Sequence, residues 1–201
     1  MTDELLTLAT EFRHEVERVR GSRFLTTVAP VSTPADAEAF VARIRDEFSD
    51  ATHNCWAWRV GRAGEVFRSS DDGEPGGSAG RPILQQLEGR RLTNVAAVVT
   101  RWFGGTKLGV GGLMRAYGGA TGKTLDRAPL RRIVVTRRVE IEHPYECSGA
   151  LAGLYAARGL EPASSAYGAS VTVVLDVPER DLAGFLQEVA DRTAGRAETR
   201  V

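Results

Sequence analysis

Residues 98–124 read VVTRWFGGTKLGVGGLMRAYGGATGKT, and the rest of the chain is best read outward from them. An apolar run, residues 95–99, leads into the basic and aromatic pair Arg101 and Trp102. Gly104, Gly105, Gly109, Gly111 and Gly112 then fall within nine residues, and a helical pattern resumes over 113–125. Glycine takes positive φ without steric cost and admits close approach to the backbone, but it loses the most conformational entropy on folding. Five of them so close together are costly unless the loop wraps something. A strand, a glycine loop and a helix N-terminus present free N–H groups and partial positive charge to an anion. Arg101, Lys107 and Arg115 gather in the same stretch, which helix-on-sheet packing alone does not require.

Neither nucleotide fingerprint fits the loop. A dinucleotide site wants G-x-G-x-x-G, but Gly109-Val110-Gly111-Gly112-Leu113 continues with Met114. A Walker loop wants four residues before G-K-[ST]; residues 118–124, GGATGKT, are one short and lie within the helical pattern.

Upstream, residues 8–19 fit helix and strand templates alike. Alternation through Phe12, His14, Val16 and Arg18, with a Gly21-Ser22 turn into the clear strand 23–29, favours a hairpin. Thr33-Pro34 opens a helix whose core stripe is Ala37, Phe40, Val41, Ile44 and Phe48. Residues 52–60, THNCWAWRV, alternate as a strand and turn at 61–64 into a second, 65–69. His53, Cys55, Ala57 and Arg59 share one face, Asn54, Trp56 and Trp58 the other. Strand neighbours two apart project in parallel at roughly 7 Å, too far for a Cys–His dyad, so His53 and Cys55 read as groove lining. His143 and Cys147 stand at helical spacing but in another unit, so no zinc set is assembled.

Residues 69–82, SSDDGEPGGSAGRP, place Asp71, Asp72 and Glu74 in a glycine-rich acidic turn. Ser78 is a natural N-cap for a helix carrying Ile83, Leu84 and Leu87, with Pro82 in its first turn. The acids do not match a calcium loop. They are expected either to pair with Arg81, Arg101 or Lys107, or to hold magnesium weakly. Beyond Ala128-Pro129 come strand 131–141, helix 145–158, strand 160–166, a turn at Tyr167-Gly168, strand 170–177, helix 179–193 and strand 196–201. That β-α-β-β-α-β order is the split-βαβ, ferredoxin-like plan. It carries no chemical motif and reads as a binding or docking module. The expected class is α+β, with domains 1–128 and 129–201.

Net charge is zero but unevenly spread: +8 over residues 81–132, −5 over 1–80 and −3 over 133–201. A basic middle in a neutral chain points to phosphate or acidic surfaces as partners. Cys55 and Cys147 lie far apart, implying no disulfide framework and fitting a reducing cytosol. No apolar run reaches the about 18 residues a membrane span needs, and the first ten residues lack a signal core. A soluble, cytoplasmic protein is expected.

His53-Asn54-Cys55, Asp71-Asp72-Gly73-Glu74-Pro75, Ala79-Gly80-Arg81-Pro82, VTRWFGG at 99–105, LGVGGL at 108–113 and Arg115-Ala116-Tyr117, in that order, closely resemble the IMPACT family in its bacterial YigZ-like branch. The resemblance spans residues 16–127; Ser78 stands where many members have Thr, and Trp102 where most have Tyr. It implies an N-terminal α/β sandwich similar to a small-subunit ribosomal protein, to domain IV of elongation factor G and to GHMP-type kinases. It implies a ferredoxin-like C-terminal domain similar to domain V of the same factor. It also implies a translation-linked role: eukaryotic members compete for the activator of the kinase that senses amino-acid starvation, and bacterial members are described as nucleic-acid- or ribosome-associated.

The residues expected to bind ligand or nucleic acid are His53, Cys55, Asp71, Asp72, Glu74, Arg101, Trp102, Gly104, Gly105, Lys107, Gly109, Gly111, Gly112 and Arg115. Arg101, Lys107 and Arg115 would contact phosphates of RNA or the ribosome, and Trp102 or Trp56 would stack on a base. A protein partner is a further expectation; no catalytic residue, metal ligand or cofactor is assigned. The alternative is an enzyme acting on a small phosphorylated molecule or nucleotide, using the three acids for magnesium or as a base.

Overall fold

Strand periodicity dominates the start of the chain. In the computed structural model, which describes residues 4–201, β1 (Glu4–Leu8) precedes the hairpin of β2 (Phe12–Val19) and β3 (Ser22–Pro30). Arg20 and Gly21 turn that hairpin with φ of 47° and 82°, the paired positive values of a two-residue connection. α1 (Pro34–Glu47) opens with a capping box: Asp36 N donates to the Thr33 side chain, and Thr33 N donates to the Asp36 carboxylate. β4 (His53–Val60) and β5 (Val66–Ser70) form a second hairpin. Then come α2 (Gly80–Gly89), β6 (Val95–Trp102), α3 (Val110–Leu125) and β7 (Leu130–Val134).

The large sheet has the order β2-β3-β6-β4-β5 with antiparallel neighbours throughout, which puts β6 at its centre. Alternation divides its side chains between two cores. Phe24, Cys55, Ala57, Val95, Ala97 and Val99 pack with Ile83 and Leu87 of α2 and Leu113, Ala116 and Tyr117 of α3. Trp56, Trp58, Val60, Ala96 and Val98 pack with Ala37, Phe40, Val41 and Ile44 of α1. A strand covered on both faces needs an unbroken apolar run, and that is why residues 95–99 read VAAVV.

The chain divides into two compact units, Leu5–Ile133 and Val134–Val201, the latter together with Glu4. In the second, β8 (Thr136–His143), α4 (Ser148–Ala157), β9 (Pro162–Tyr167), β10 (Val171–Pro178), α5 (Leu182–Thr193) and β11 (Glu198–Arg200) follow the β-α-β-β-α-β order, with strand order β11-β8-β10-β9. Leu151, Leu154, Phe185 and Val189 from its two helices close over Val139, Ile141, Val173 and Leu175. Both units mix helix and sheet, so the chain is α+β. Among the described residues no helix is long and apolar enough to cross a membrane.

Three expectations need correction. Residues 131–141 are two strands, because β7 pairs with β1 while β8 pairs with β10 and β11. The units part at Ile133/Val134 and not after Ala128. Ala128 is buried in the first core, and Pro129 O accepts from Ala9 N at 2.8 Å, so both belong to the N-terminal unit. Ser78 does not cap α2: its hydroxyl donates to Pro75 O at 2.6 Å, and Ala79 at the cap position has no capping side chain.

The cap comes from Asp71, at the far side of the acidic turn. One carboxylate oxygen accepts from Ala79 N and Gly80 N, each at 2.8 Å, and the other accepts from Gly77 N at 2.7 Å. Burial pushes the Asp71 pKa up, but the amides of Gly77, Gly80 and Ala79 together outweigh it and leave the group below its ordinary range. A depressed folded pKa gives stability that is present above the unfolded pKa and lost as pH falls through the folded one. Asp71→Ala is therefore expected to cost about 1–2 kcal/mol in urea denaturation at pH 7. The gap from wild type should close as pH drops below about 3.9; a gap that persists in acid contradicts the capping role.

Candidate functional site

At the end of β6 the register places Arg101 between Phe24 of β3 and His53 of β4. Arg101 is only 4% exposed. Its Nη1 donates to Glu74 Oε1 at 2.6 Å and its Nη2 to Ser22 Oγ at 3.1 Å. The Tyr117 hydroxyl of α3 donates to the same Glu74 oxygen at 2.7 Å, and His53 Nε2 lies 3.9 Å from it. Glu74 thus fastens the acidic turn to β6 and to α3 at once. Arg101 is held inward by this pair and does not face an external phosphate, contrary to the expectation from sequence.

The other acids of the turn are also engaged. The Asp72 carboxylate accepts from Asn54 N at 2.7 Å and pairs with Arg45 at 3.1 Å, while Asp72 O lies 2.8 Å from His53 Nδ1. With Asp71 on the α2 amides, all three carboxylates are bonded to protein donors. Among the described residues no group of three or more His, Cys, Asp and Glu side chains is placed to hold a metal ion. Cys55 is fully buried and its thiol donates to Asp71 O at 3.0 Å; burial pushes the thiol pKa up, so it stays protonated and is no nucleophile at neutral pH. Trp56 is buried in the α1 core and cannot stack on a base. The Trp102 ring is already engaged, with the Arg23 guanidinium 4.3 Å above it, Phe48 edge-on and its Nε1 donating to Asp50.

The glycine loop, in contrast, is open. Residues 103–111 are exposed except for half-buried Leu108. Its first two residues are pinned: Phe103 N donates to Thr52 Oγ1 at 3.0 Å and Gly104 N to buried Ser22 Oγ at 3.1 Å. A Cβ on Gly104 would fall 1.9 Å from the carbonyl carbon of Gly21, so no side chain fits there. Gly105 and Gly109 have φ of 87° and 70° with open space around them, so conformation and not packing demands glycine. Gly111 and Gly112 lie in the first turn of α3, which begins three residues earlier than the pattern predicted. That helix has no capping side chain and no acid in its first turn. Among the described residues no chain acceptor meets the amides of Gly105, Thr106, Lys107 and Leu108, or those of Val110, Gly111 and Gly112 at the start of the helix.

Two of the three expected cations, Lys107 and Arg115, are exposed at this loop. A groove of about 230 Å³ between the β2–β3 turn and α3 is lined by Val19, Arg20, Leu108, Gly112, Arg115 and Ala116. Arg20 is the functional candidate that sequence reading missed; its signal was the Arg-Gly pair at a hairpin turn, which projects a side chain over the neighbouring helix. Among the described residues neither Arg20, Lys107 nor Arg115 is paired with an acid. Open amides beside three uncommitted cations can receive an anion such as a phosphate group.

The sequence profile of the Impact N-terminal domain matches residues 20–125, from the Arg20 turn to the last residue of α3. The chain belongs to the IMPACT family. The IMPACT family member in the pol 5′ region of Thermus thermophilus is 40% identical over 179 residues, covering 89% of this chain and 97% of that one. IMPACT family member YigZ of Escherichia coli is 36% identical over 187 residues, covering 90% and 89%. The crystal structure of a hypothetical protein superposes with a TM-score of 0.71 at 32% identity, covering 99% of this chain and 97% of that one. Human Protein IMPACT is 33% identical over 95 residues, 45% of this chain and 29% of its own.

The buried pair makes the first test of the site's scaffold. Glu74→Ala strands the Arg101 guanidinium in the interior and is expected to cost about 3–5 kcal/mol in chemical denaturation. Glu74→Leu combined with Arg101→Met should cost clearly less than the sum of the single changes. Additive losses would show that the two side chains do not depend on each other.

Proposed function

We propose that this IMPACT-family chain is a translation-linked regulatory protein that binds nucleic acid or ribosomal surface through the basic, glycine-rich groove at the start of α3. One observation carries the reading: an exposed loop whose amides from Gly105 to Leu108 have no chain acceptor lies beside Arg20, Lys107 and Arg115, none of them matched by an acid. Lysine and arginine on phosphates supply affinity by counterion release, while backbone amides add neutral donors that fix register. The translation link rests on the family resemblance. So does the reading of the N-terminal unit as a sandwich like domain IV of elongation factor G and of the second as a ferredoxin-like domain. The strand order β11-β8-β10-β9 supports the latter. Two free, buried cysteines fit a cytoplasmic location.

The competing reading, an enzyme acting on a small phosphorylated molecule, needs an acid free to hold magnesium or move a proton. Asp71, Asp72 and Glu74 are each bonded to donors of the protein itself, which weakens one of its two supports; the other is the glycine loop.

The test is fluorescence anisotropy of a labelled RNA across a salt series. Affinity should fall linearly in logarithmic salt, and Arg20→Ala, Lys107→Ala and Arg115→Ala should each weaken binding and flatten the slope by about one. Affinity that ignores salt, or that survives all three substitutions, contradicts the proposal.

A further inference from the structure

At the mouth of the loop stands an aromatic ring that the reading above leaves unused. Phe103 is 46% exposed, yet its backbone is held on both sides, by Thr52 at its own N–H and by Ser22 at the next. The Arg101 guanidinium lies 5.5 Å from the ring centroid, and that guanidinium is fixed by Glu74. The ring therefore rests on a buried cation and not in an apolar core. Among the described residues no other aromatic ring or guanidinium covers it. Single exposed apolar residues are ordinary, but this one has company. Val110 and Met114, one turn apart on α3, are also exposed, and Lys107 stands in the loop between Phe103 and that helix.

A flat ring in a fixed frame, beside cations that no acid neutralises, matches a strand that offers base faces and phosphates together. A duplex keeps its base faces inside the stack, where the ring cannot reach them. We infer that Phe103 is a base-stacking platform and that the site takes unpaired, single-stranded RNA. This rests on the nucleic-acid reading above and narrows it to one kind of strand. The cations hold the backbone, and the ring, whose π-face suits every base, reads strandedness and not sequence.

The experiment compares a single-stranded RNA oligomer, the same sequence as a duplex, and inorganic polyphosphate, with the full chain and two variants. Phe103→Ala should weaken single-stranded RNA binding roughly tenfold or more and leave polyphosphate binding and Tm unchanged. Phe103→Trp should retain the affinity, and wild type should favour the single strand over the duplex. Single-stranded binding that Phe103→Ala leaves intact, or equal affinity for both forms, overturns this inference alone. Loss of polyphosphate binding in Phe103→Ala also overturns it, because the ring would then act through the loop's shape. Absence of salt-sensitive RNA binding in wild type overturns the parent reading and this one with it. So does Phe103-dependent capture of an acidic protein without RNA binding.

Discussion

The carboxylate of Glu74 sits almost out of solvent, taking a guanidinium from β6 and a hydroxyl from α3 on one oxygen. Two charges removed from water have to satisfy each other, and neither side chain can leave while the other stays. That constraint fixes where the acidic turn crosses the sheet. Once Glu74 is placed, Asp71 lies against the start of α2 and Asp72 against the start of β4. A segment that looks like a metal or general-base site in sequence is a clasp, with every carboxylate bonded inward. The clasp also withdraws Arg101 from solvent, so the surface charge of the basic middle comes from other residues.

The glycines of the loop divide by physical cause. Gly104 and Gly21 bring two backbones too close for any side chain. Gly105 and Gly109 touch nothing and are glycine for their positive φ alone. The loop is rigid where it leaves the sheet and open beyond, which suits a surface that must present amides and cations without collapsing onto its own helix. Arg20 reaches this surface because the β2–β3 turn sits against Gly104. The matched domain profile begins at that residue and ends with α3, so the clasp, the loop and every groove residue but Val19 fall inside it.

Local order was legible in the sequence, and long-range order was not. The alternation of residues 52–60 sorted Cys55 and Ala57 from Trp56 and Trp58, and the two sets do enter different cores. Thr33-Pro34 announced α1 through chemistry contained in four residues. β1 gave no usable signal, being five residues long with a partner, β7, at the other end of the unit. Ser78 looked like a cap by position, but Asp71 reaches the same amides across the turn, and the folded path decides between them. Arg101 and Lys107 are alike as letters; one is buried because Glu74 folds onto it, and the other is exposed because no acid does. Tryptophan drew attention as the stacking group, yet the two that lay near the site pack inward or against Arg23, and the exposed ring is Phe103.

The proposed binding surface is a loop with unbonded amides in the free chain, which RNA would cover. Hydrogen–deuterium exchange of residues 105–112, with and without RNA at low salt, tests that most directly. These amides should exchange fast in the free chain and slow selectively when RNA is added, while β6 stays protected in both states. Amides already protected without RNA, or protection that appears only in Val134–Val201, would contradict it.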